Sequence, residues 1–157
     1  MKLIGVVGSG QMGGGIAQVA AQKGMDVVLS DISREVAESG RLKIQKALGK
    51  LVEKGKVSQA DAESALSRIR PVGSLKELSA CDIVIEAATE RAELKFKIFK
   101  ELDEVVKPEA ILASNTSSIS ITTIAAATKR PGQVVGMHFM TPVHVLKLVG
   151  GVPGPRP

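Results

Sequence analysis

Tryptophan and tyrosine are absent from the 157 residues, and phenylalanine occurs three times, at Phe96, Phe99 and Phe139. Base-stacking platforms for single-stranded nucleic acid therefore have almost no material. The charge balance agrees: 21 basic against 16 acidic residues give +5, with the basic residues scattered along the chain, far from a nucleic-acid signature. The one cysteine, Cys81, excludes an internal disulfide and a cysteine-cluster metal site. Lying between Ala80 and the strand-like Asp82-Ile83-Val84-Ile85, it reads as a packed thiol. No apolar stretch approaches the roughly 20 residues that span a bilayer. The N-terminus enters a strand directly, without the cationic, apolar and cleavage regions of a signal peptide. The expectation is a cytoplasmic protein with neither membrane nor nucleic acid as partner.

A chain of this length predicts one domain with room for a sizeable core. Its most informative stretch is residues 4 to 31. Ile4-Gly5-Val6-Val7 leads into Gly8-Ser9-Gly10-Gln11-Met12-Gly13, then a helical pattern, then Val27-Val28-Leu29-Ser30-Asp31. Strand, glycine turn, helix, strand and acid in that order hold a dinucleotide. Gly8 permits the tight turn, Gly10 lets the backbone approach a pyrophosphate, and Gly13 lets the helix pack on the sheet. The helix N-terminus faces the phosphate charge, with Gln11 and Met12 of the turn as further cofactor-binding candidates. Asp31 stands at about the distance, roughly 20 residues on, from which an acid accepts hydrogen bonds from a ribose diol. The cofactor expected is NAD in preference to NADP, because a carboxylate at Asp31 repels a 2′-phosphate.

Hydrophobic spacing predicts a first helix from about Gly13 to Lys23, ended by Gly24, and a longer one from about Ser33 to Lys54, ended by Gly55. Ser58-x-x-Asp61 reads as a capping box opening a further helix. The pair, about residues 33–69, is longer than a crossover needs and is expected to project as an antiparallel hairpin tipped by Lys54-Gly55-Lys56. Strands follow at Ile69 to Val72, Ile83 to Glu86, Ala110 to Ala113, Val134 to Met137 and Val145 to Val149. Helices lie between them at about 90–106 and 119–127, with a short one capped by Ser74. This rhythm means an α/β fold of Rossmann type: a doubly wound, mainly parallel sheet with an inserted helical hairpin. The domain is expected over residues 1–149, and the Gly/Pro-rich 150–157 reads as a disordered tail.

Ligands of such sheets sit beyond the carboxyl ends of the strands. Gly8 to Gly13, Asp31, the Glu86 to Glu90 turn and Ser114-Asn115-Thr116-Ser117-Ser118 all fall there. So does His138, at the end of the sixth strand. A lone histidine on an apolar strand is commonly a satisfied core residue. Its place beside a hydroxyl-rich loop favours a base that takes an alcohol proton while hydride leaves the same carbon. A loop hydroxyl would hold the alcohol oxygen; spacing leaves open whether that is Thr116, Ser117 or Ser118.

Gly8-Ser-Gly-Gln-Met-Gly-Gly-Gly-Ile-Ala-Gln, Asp31-Ile-Ser, Leu51-Val-Glu-Lys-Gly-Lys, Ile85-Glu-Ala-Ala-Thr-Glu90, Ala113-Ser-Asn-Thr-Ser-Ser and Gly136-Met-His-Phe-Met together resemble the 3-hydroxyacyl-CoA dehydrogenase family, over residues 1 to about 149. The resemblance implies NAD-dependent oxidation of an (S)-3-hydroxyacyl-CoA to the 3-ketoacyl-CoA, or the reverse. It implies His138 as general base and Ser117 as the hydroxyl that binds the substrate oxygen. Asn115 would reach cofactor or substrate, Asp31 the adenosine ribose, and Glu90 and Lys95 would lie near the cofactor. Lys54 and Lys56 match the hairpin region that meets CoA. Three departures bear on activity. Thr141 replaces the family's active-site Asn. Gly150 replaces the Glu that pairs with the catalytic histidine, and no acidic residue follows Glu109. Disabling such an orienting acid elsewhere has cost about four orders of magnitude in turnover. Family-like sequence also ends near Val149, ahead of the helical domain that carries the dimer interface and part of the substrate site. The expectations are therefore an impaired dehydrogenase, completed by a separate helical domain or chain, or a module that binds NAD and CoA with little turnover. Homodimerisation does not carry over. A sugar- or hydroxy-acid dehydrogenase sharing only the fold is disfavoured by the hairpin and its lysine tip.

Overall fold

The computed structural model describes residues 3–88, 90–115 and 119–136. Strands β1 (Leu3–Val7), β2 (Asp26–Ser30), β3 (Ile69–Val72), β4 (Ile83–Glu86), β5 (Ile111–Ser114) and β6 (Val134–Gly136) interleave with helices α1 (Gln11–Gln22), α2 (Arg34–Glu53), α3 (Gln59–Ser67), α4 (Ala92–Val105) and α5 (Ile121–Ala125). The sheet order is β3-β2-β1-β4-β5-β6, and every pairing is parallel. The chain steps outward from β1 to β3, then crosses back to β4 on the other side of β1. That reversal opens a crevice at the carboxyl ends of β1 and β4. The last residue of each strand lies in one row across the sheet: Val72, Ser30, Val7, Glu86, Ser114 and Gly136.

Parallel strands covered on both faces need nearly continuous apolar sequence, which Ile4-Gly5-Val6-Val7, Val27-Val28-Leu29 and Ile83-Val84-Ile85 supply. Successive side chains then feed two cores. Ile4, Val6, Val27 and Leu29 pack with Ile16, Ala17 and Ala20 of α1, Ile44 and Leu48 of α2, and Ala62 and Ala65 of α3. On the other face Val7, Val28 and Val84 pack with Ile98, Phe99 and Leu102 of α4 and Ile124 of α5. Cys81 belongs to this second core. Burial, then the Asp82 charge beside it, pushes its thiol up to about 12, so it is the packed thiol expected.

Caps explain most boundaries. The Ser33 hydroxyl accepts from Val36 N at 3.2 Å, and Ser58 from Asp61 N at 3.0 Å, each satisfying a helix-start donor. Gly55 ends the long helix region at φ +71, the left-handed stop expected of it. Other boundaries shift. α1 starts at Gln11, two residues before Gly13, because the chain turns helical directly after Gly10. The segment opened by Ser74 is a single 3-10 turn, Leu75–Leu78. The helix expected over 119–127 narrows to Ile121–Ala125. Helices α2 and α3 form the antiparallel hairpin, and it packs on α1 through Ala62 and Ala65. Arg41 of α2 ties its base by donating to Leu66 O at 2.9 Å and Ile69 O at 3.0 Å. Sequence spacing gave no sign of Arg130. Its buried guanidinium pairs with Asp103 at 2.7 Å and donates to Asp103 O, Val106 O, Lys107 O and Ala110 O around the end of α4. The strand expected at Val145 to Val149 and the tail at 150–157 lie outside the described residues.

Candidate functional site

A cleft of about 540 Å³ opens at the crevice, lined by Gly8, Gly10 and Asp31 among others, with apolar walls from Val7, Leu75, Ala87, Ala88, Leu94 and Ile98. The glycines make its floor. Gly8 sits at φ +102, a left-handed conformation that L side chains avoid, and a Cβ there would lie 2.7 Å from Ala87 O. A Cβ on Gly13 would lie 1.7 Å from Gly8 O, so the turn closes onto the helix only because residue 13 has no side chain. Gly10 is the opposite case: a Cβ there meets nothing within 4 Å. It leaves room outside the turn, over the first N–H groups of α1. That helix start has neither a side-chain cap nor an acid in its first turn, so its partial positive charge is open to an anion. Gln11 and Met12 are exposed there.

Asp31 faces the glycine turn across the cleft. Its Oδ2 accepts from Ser9 N at 2.7 Å and from Ser9 Oγ at 2.6 Å, while Oδ1 accepts from Ile32 N at 2.7 Å. Partial burial pushes the carboxyl up, but these hydrogen bonds, the Ser9 hydroxyl foremost, outweigh it and hold the group below its ordinary 3.8. A carboxyl lowered on folding contributes stability above its ordinary range and loses it as pH falls through the lowered value. Urea midpoints measured on descent into that acid range should fall more gently in Asp31→Asn than in the parent; identical slopes would remove Asp31 from the acid response.

On the far side of Gly8, the loop after β4 is held by a buried ion pair. Glu86 and Lys95 are both fully buried. Glu86 Oε2 accepts from Lys95 Nζ at 2.5 Å and Ala88 N at 2.7 Å, and Oε1 accepts from Ser114 Oγ at 2.6 Å. Lys95 also donates to Ala88 O at 3.3 Å and pairs with exposed Glu90 at 3.3 Å. The ammonium's three donors thus all have protein partners. Lys95, expected near the cofactor, sits behind the cleft wall and acts on it through Glu86, Ala88 and Glu90. Asn115 follows β5, its N–H donating to Glu86 O at 2.8 Å.

The structure therefore brings Gly8, Gly10 and Asp31 to one cleft, with Lys95 behind its wall and paired with Glu90, and Asn115 at the end of β5. Lys54 and Lys56 are exposed at the hairpin tip and do not line it. Lys54 is separated from Ser33 by the whole of α2, roughly 30 Å of helix. Ser117, His138 and Thr141, with Thr116, Ser118 and Gly150, lie outside the described residues. Sequence reasoning set Ser9, Glu86 and Ser114 within the polar segments at the strand ends but gave none of them a role. Only Gly40, an isolated glycine within a helical pattern, hinted at the close contact that α2 makes with the turn.

The residues present fit a dinucleotide. The turn leaves the pyrophosphate its backbone approach, and Asp31 Oδ1 keeps acceptor capacity toward a ribose. The Ser30 hydroxyl on the wall has no partner among the described residues. Comparison with known proteins agrees. The profile described as "3-hydroxyacyl-CoA dehydrogenase, NAD binding domain" matches residues 3–156. A probable 3-hydroxybutyryl-CoA dehydrogenase of Deinococcus radiodurans is 53% identical over 96% of this chain and 54% of its own length. The fatty acid oxidation complex subunit alpha of Psychrobacter arcticus is 46% identical over 96% of this chain and 21% of its own. The crystal structure of an (S)-3-hydroxybutyryl-CoA dehydrogenase from Ralstonia eutropha superposes with a TM-score of 0.86 at 48% identity, covering 91% of this chain and 50% of that one. The chain spans about half the length of the curated 3-hydroxybutyryl-CoA dehydrogenases it matches. Among the described residues no helix is long and apolar enough to cross a membrane.

Proposed function

The chain belongs to the 3-hydroxyacyl-CoA dehydrogenase family as its NAD-binding domain, and from that membership we propose that it serves the NAD-dependent oxidation of (S)-3-hydroxyacyl-CoA, 3-hydroxybutyryl-CoA foremost, to the 3-ketoacyl-CoA or the reverse. One observation supports the reading: the glycine turn and Asp31 share a cleft at the strand ends, and in sequence β5 is followed by Asn115 and β6, two residues past Gly136, by His138. The β1 and β5 ends are two strand spacings apart, roughly 10 Å, a span that one bound dinucleotide bridges.

Bound NAD supplies the hydride acceptor. The chain's own residues do the rest. The α1 N-terminus and Gly10 hold the pyrophosphate, and Asp31 orients the adenosine ribose. Ser117, with Asn115 and Thr141 nearby in the proposal, holds the substrate oxygen, and His138 takes its proton at an imidazole nitrogen. Glu90 and Lys95 shape the loop against the cofactor, Lys95 through its bond to Glu86. Lys54 and Lys56 on the hairpin tip meet CoA phosphates. A helical domain, on this polypeptide or another, completes the substrate site; relatives such as the fatty acid oxidation subunit carry further sequence beyond the matched part. The proposal includes a cytoplasmic setting, with which Cys81 as a buried free thiol is in keeping.

A second reading, a module that binds cofactor with little turnover, is favoured by Gly150 and Thr141 at positions where the family has Glu and Asn. Mixing the chain with NAD and (S)-3-hydroxybutyryl-CoA decides between them. NADH should form, more slowly than with a two-domain relative, and its formation should be lost in His138→Ala. NADH binding without any NADH formation at high protein concentration would leave the module reading in place. Without Trp or Tyr, the chain adds little fluorescence of its own to the NADH signal.

A further inference from the structure

We propose that Ser9 is a positioning residue for cofactor selection: its side chain and backbone clamp one oxygen of Asp31, so that the carboxylate meets the adenosine ribose already oriented, with a lone pair of its other oxygen open. The inference rests on the reading of Asp31 as the ribose-binding acid.

Ser9 stands between the first two glycines of the turn, and it is nearly buried, 6% exposed. Two donors of this one residue, N–H and Oγ–H, converge on Asp31 Oδ2 at 2.7 and 2.6 Å. An ionised carboxylate oxygen accepts about two such bonds in its plane, so Oδ2 is filled from within the protein. Oδ1 takes one donor, Ile32 N, and keeps a lone pair for a ribose hydroxyl. The clamp is itself held. Helix α2 crosses directly over Ser9 at Gly40, where a Cβ would stand 2.6 Å from Ser9 Cβ and 2.8 Å from Ser9 O. Val36 O lies 3.3 Å from the Ser9 hydroxyl, a longer alternative for the one hydroxyl proton, which the 2.6 Å contact to the Asp31 carboxylate outcompetes. Gly40 is thus the reason that a serine fits at position 9 with its hydroxyl turned to Asp31.

A carboxylate locked before binding loses no rotamer freedom when the ribose arrives. It also stays charged, which is what opposes a 2′-phosphate. The ionisable groups on the surrounding elements include Arg34, Glu35, Glu38 and Arg41 on α2, Lys76 and Glu77 on the 3-10 turn, and Glu101 of α4, which lines the same cleft. Helix α1 contributes none. None of them is hydrogen-bonded to Asp31, whose hydrogen-bond partners are residues 9 and 32.

The test is NADH and NADPH titration of the full chain, followed by fluorescence, for Ser9→Ala, Ser9→Cys and Asp31→Asn, with the Asp31 carboxyl followed by carbon NMR against pH. Ser9→Ala should weaken NADH binding roughly fivefold, the scale of one net hydrogen bond, with NADPH binding unchanged or improved. The Asp31 titration should move up toward the ordinary carboxyl range. Ser9→Cys, which keeps the shape but donates weakly, should move both readouts the same way. A purely structural role for Ser9 would shift stability without moving the Asp31 titration. If Asp31→Asn weakens NADH while both Ser9 variants bind as the parent does, the clamp is refuted and the ribose reading stands. If Asp31→Asn leaves NADH affinity unchanged, the ribose reading itself fails. Should the variants not fold, the parent decides: an Asp31 carboxyl titrating at its ordinary value overturns the clamp.

Discussion

Replacing Lys95 with alanine is expected to lower the stability of the fold by about 3–5 kcal/mol, the usual cost of stranding one member of a buried ion pair. Glu86 would keep the Ser114 hydroxyl and Ala88 N–H, at 2.6 and 2.7 Å, but lose the one charge that balances it inside a wholly buried shell. Replacing both partners by neutral side chains of similar shape, Glu86→Gln with Lys95→Met, should recover most of that loss, because no uncompensated charge then remains. Urea unfolding of the three proteins measures this. A Lys95→Ala variant within about 1 kcal/mol of the parent, below the range for a broken buried pair, would mean that Glu86 is not held as an ion. The pair also sits where binding is decided. It anchors Ala88, a wall of the cleft, and Ser114, the last residue of β5. NADH affinity should therefore fall in Lys95→Ala even at temperatures where the variant stays folded.

Gly13→Ala is expected to be nearly as severe, and to act on the opposite wall. The new methyl would lie 1.7 Å from Gly8 O, so either the turn or α1 must move. Gly8 has little room to yield, because it is packed against Ala87 O and held by its own N–H bond to Ser30 O at 2.8 Å. Overpacking of this kind costs roughly 3 kcal/mol, while the better helix propensity of alanine returns only about 1. Moving the turn also displaces the backbone that faces the pyrophosphate, so NADH binding should be lost. Gly15→Ala is the control. It lies in the same helix, exposed, and its Cβ would meet nothing within 4 Å. That variant should gain about 0.5–1 kcal/mol from propensity alone and bind NADH as the parent does. Equal behaviour of the two variants would show that Gly13 is a propensity matter and not a packing one.

Much of this was legible in one dimension, and for a definable reason. Period, cap and turn are local, so the order of strands and helices, the stop at Gly55, the caps at Ser33 and Ser58 and the roles of Gly8 and Gly13 follow from neighbours within a few residues. Parallel pairing follows almost as directly, since alternating strands and helices leave little else open. Asp31 was readable because it lies one strand–helix–strand unit from the turn, at a spacing set by that unit's own length.

Contacts between distant segments were not legible. The sequence places Glu86, Lys95 and Ser114 on three separate elements, and nothing in their spacing says that one carboxylate serves both of the others. The family resemblance put Lys95 near the cofactor; the packing of α4 on the sheet turns it inward, where all three donors find protein partners. Ser9 carries no role in the sequence pattern; in the structure α2, pressed down at Gly40, closes over it, and its hydroxyl meets Asp31. Local chemistry thus determined that this chain makes a dinucleotide turn and an acid to go with it. The tertiary structure decided how that acid is held and which charges stand behind the cleft, because burial, which makes a single hydrogen bond or ion pair decisive, exists only once the layers have come together.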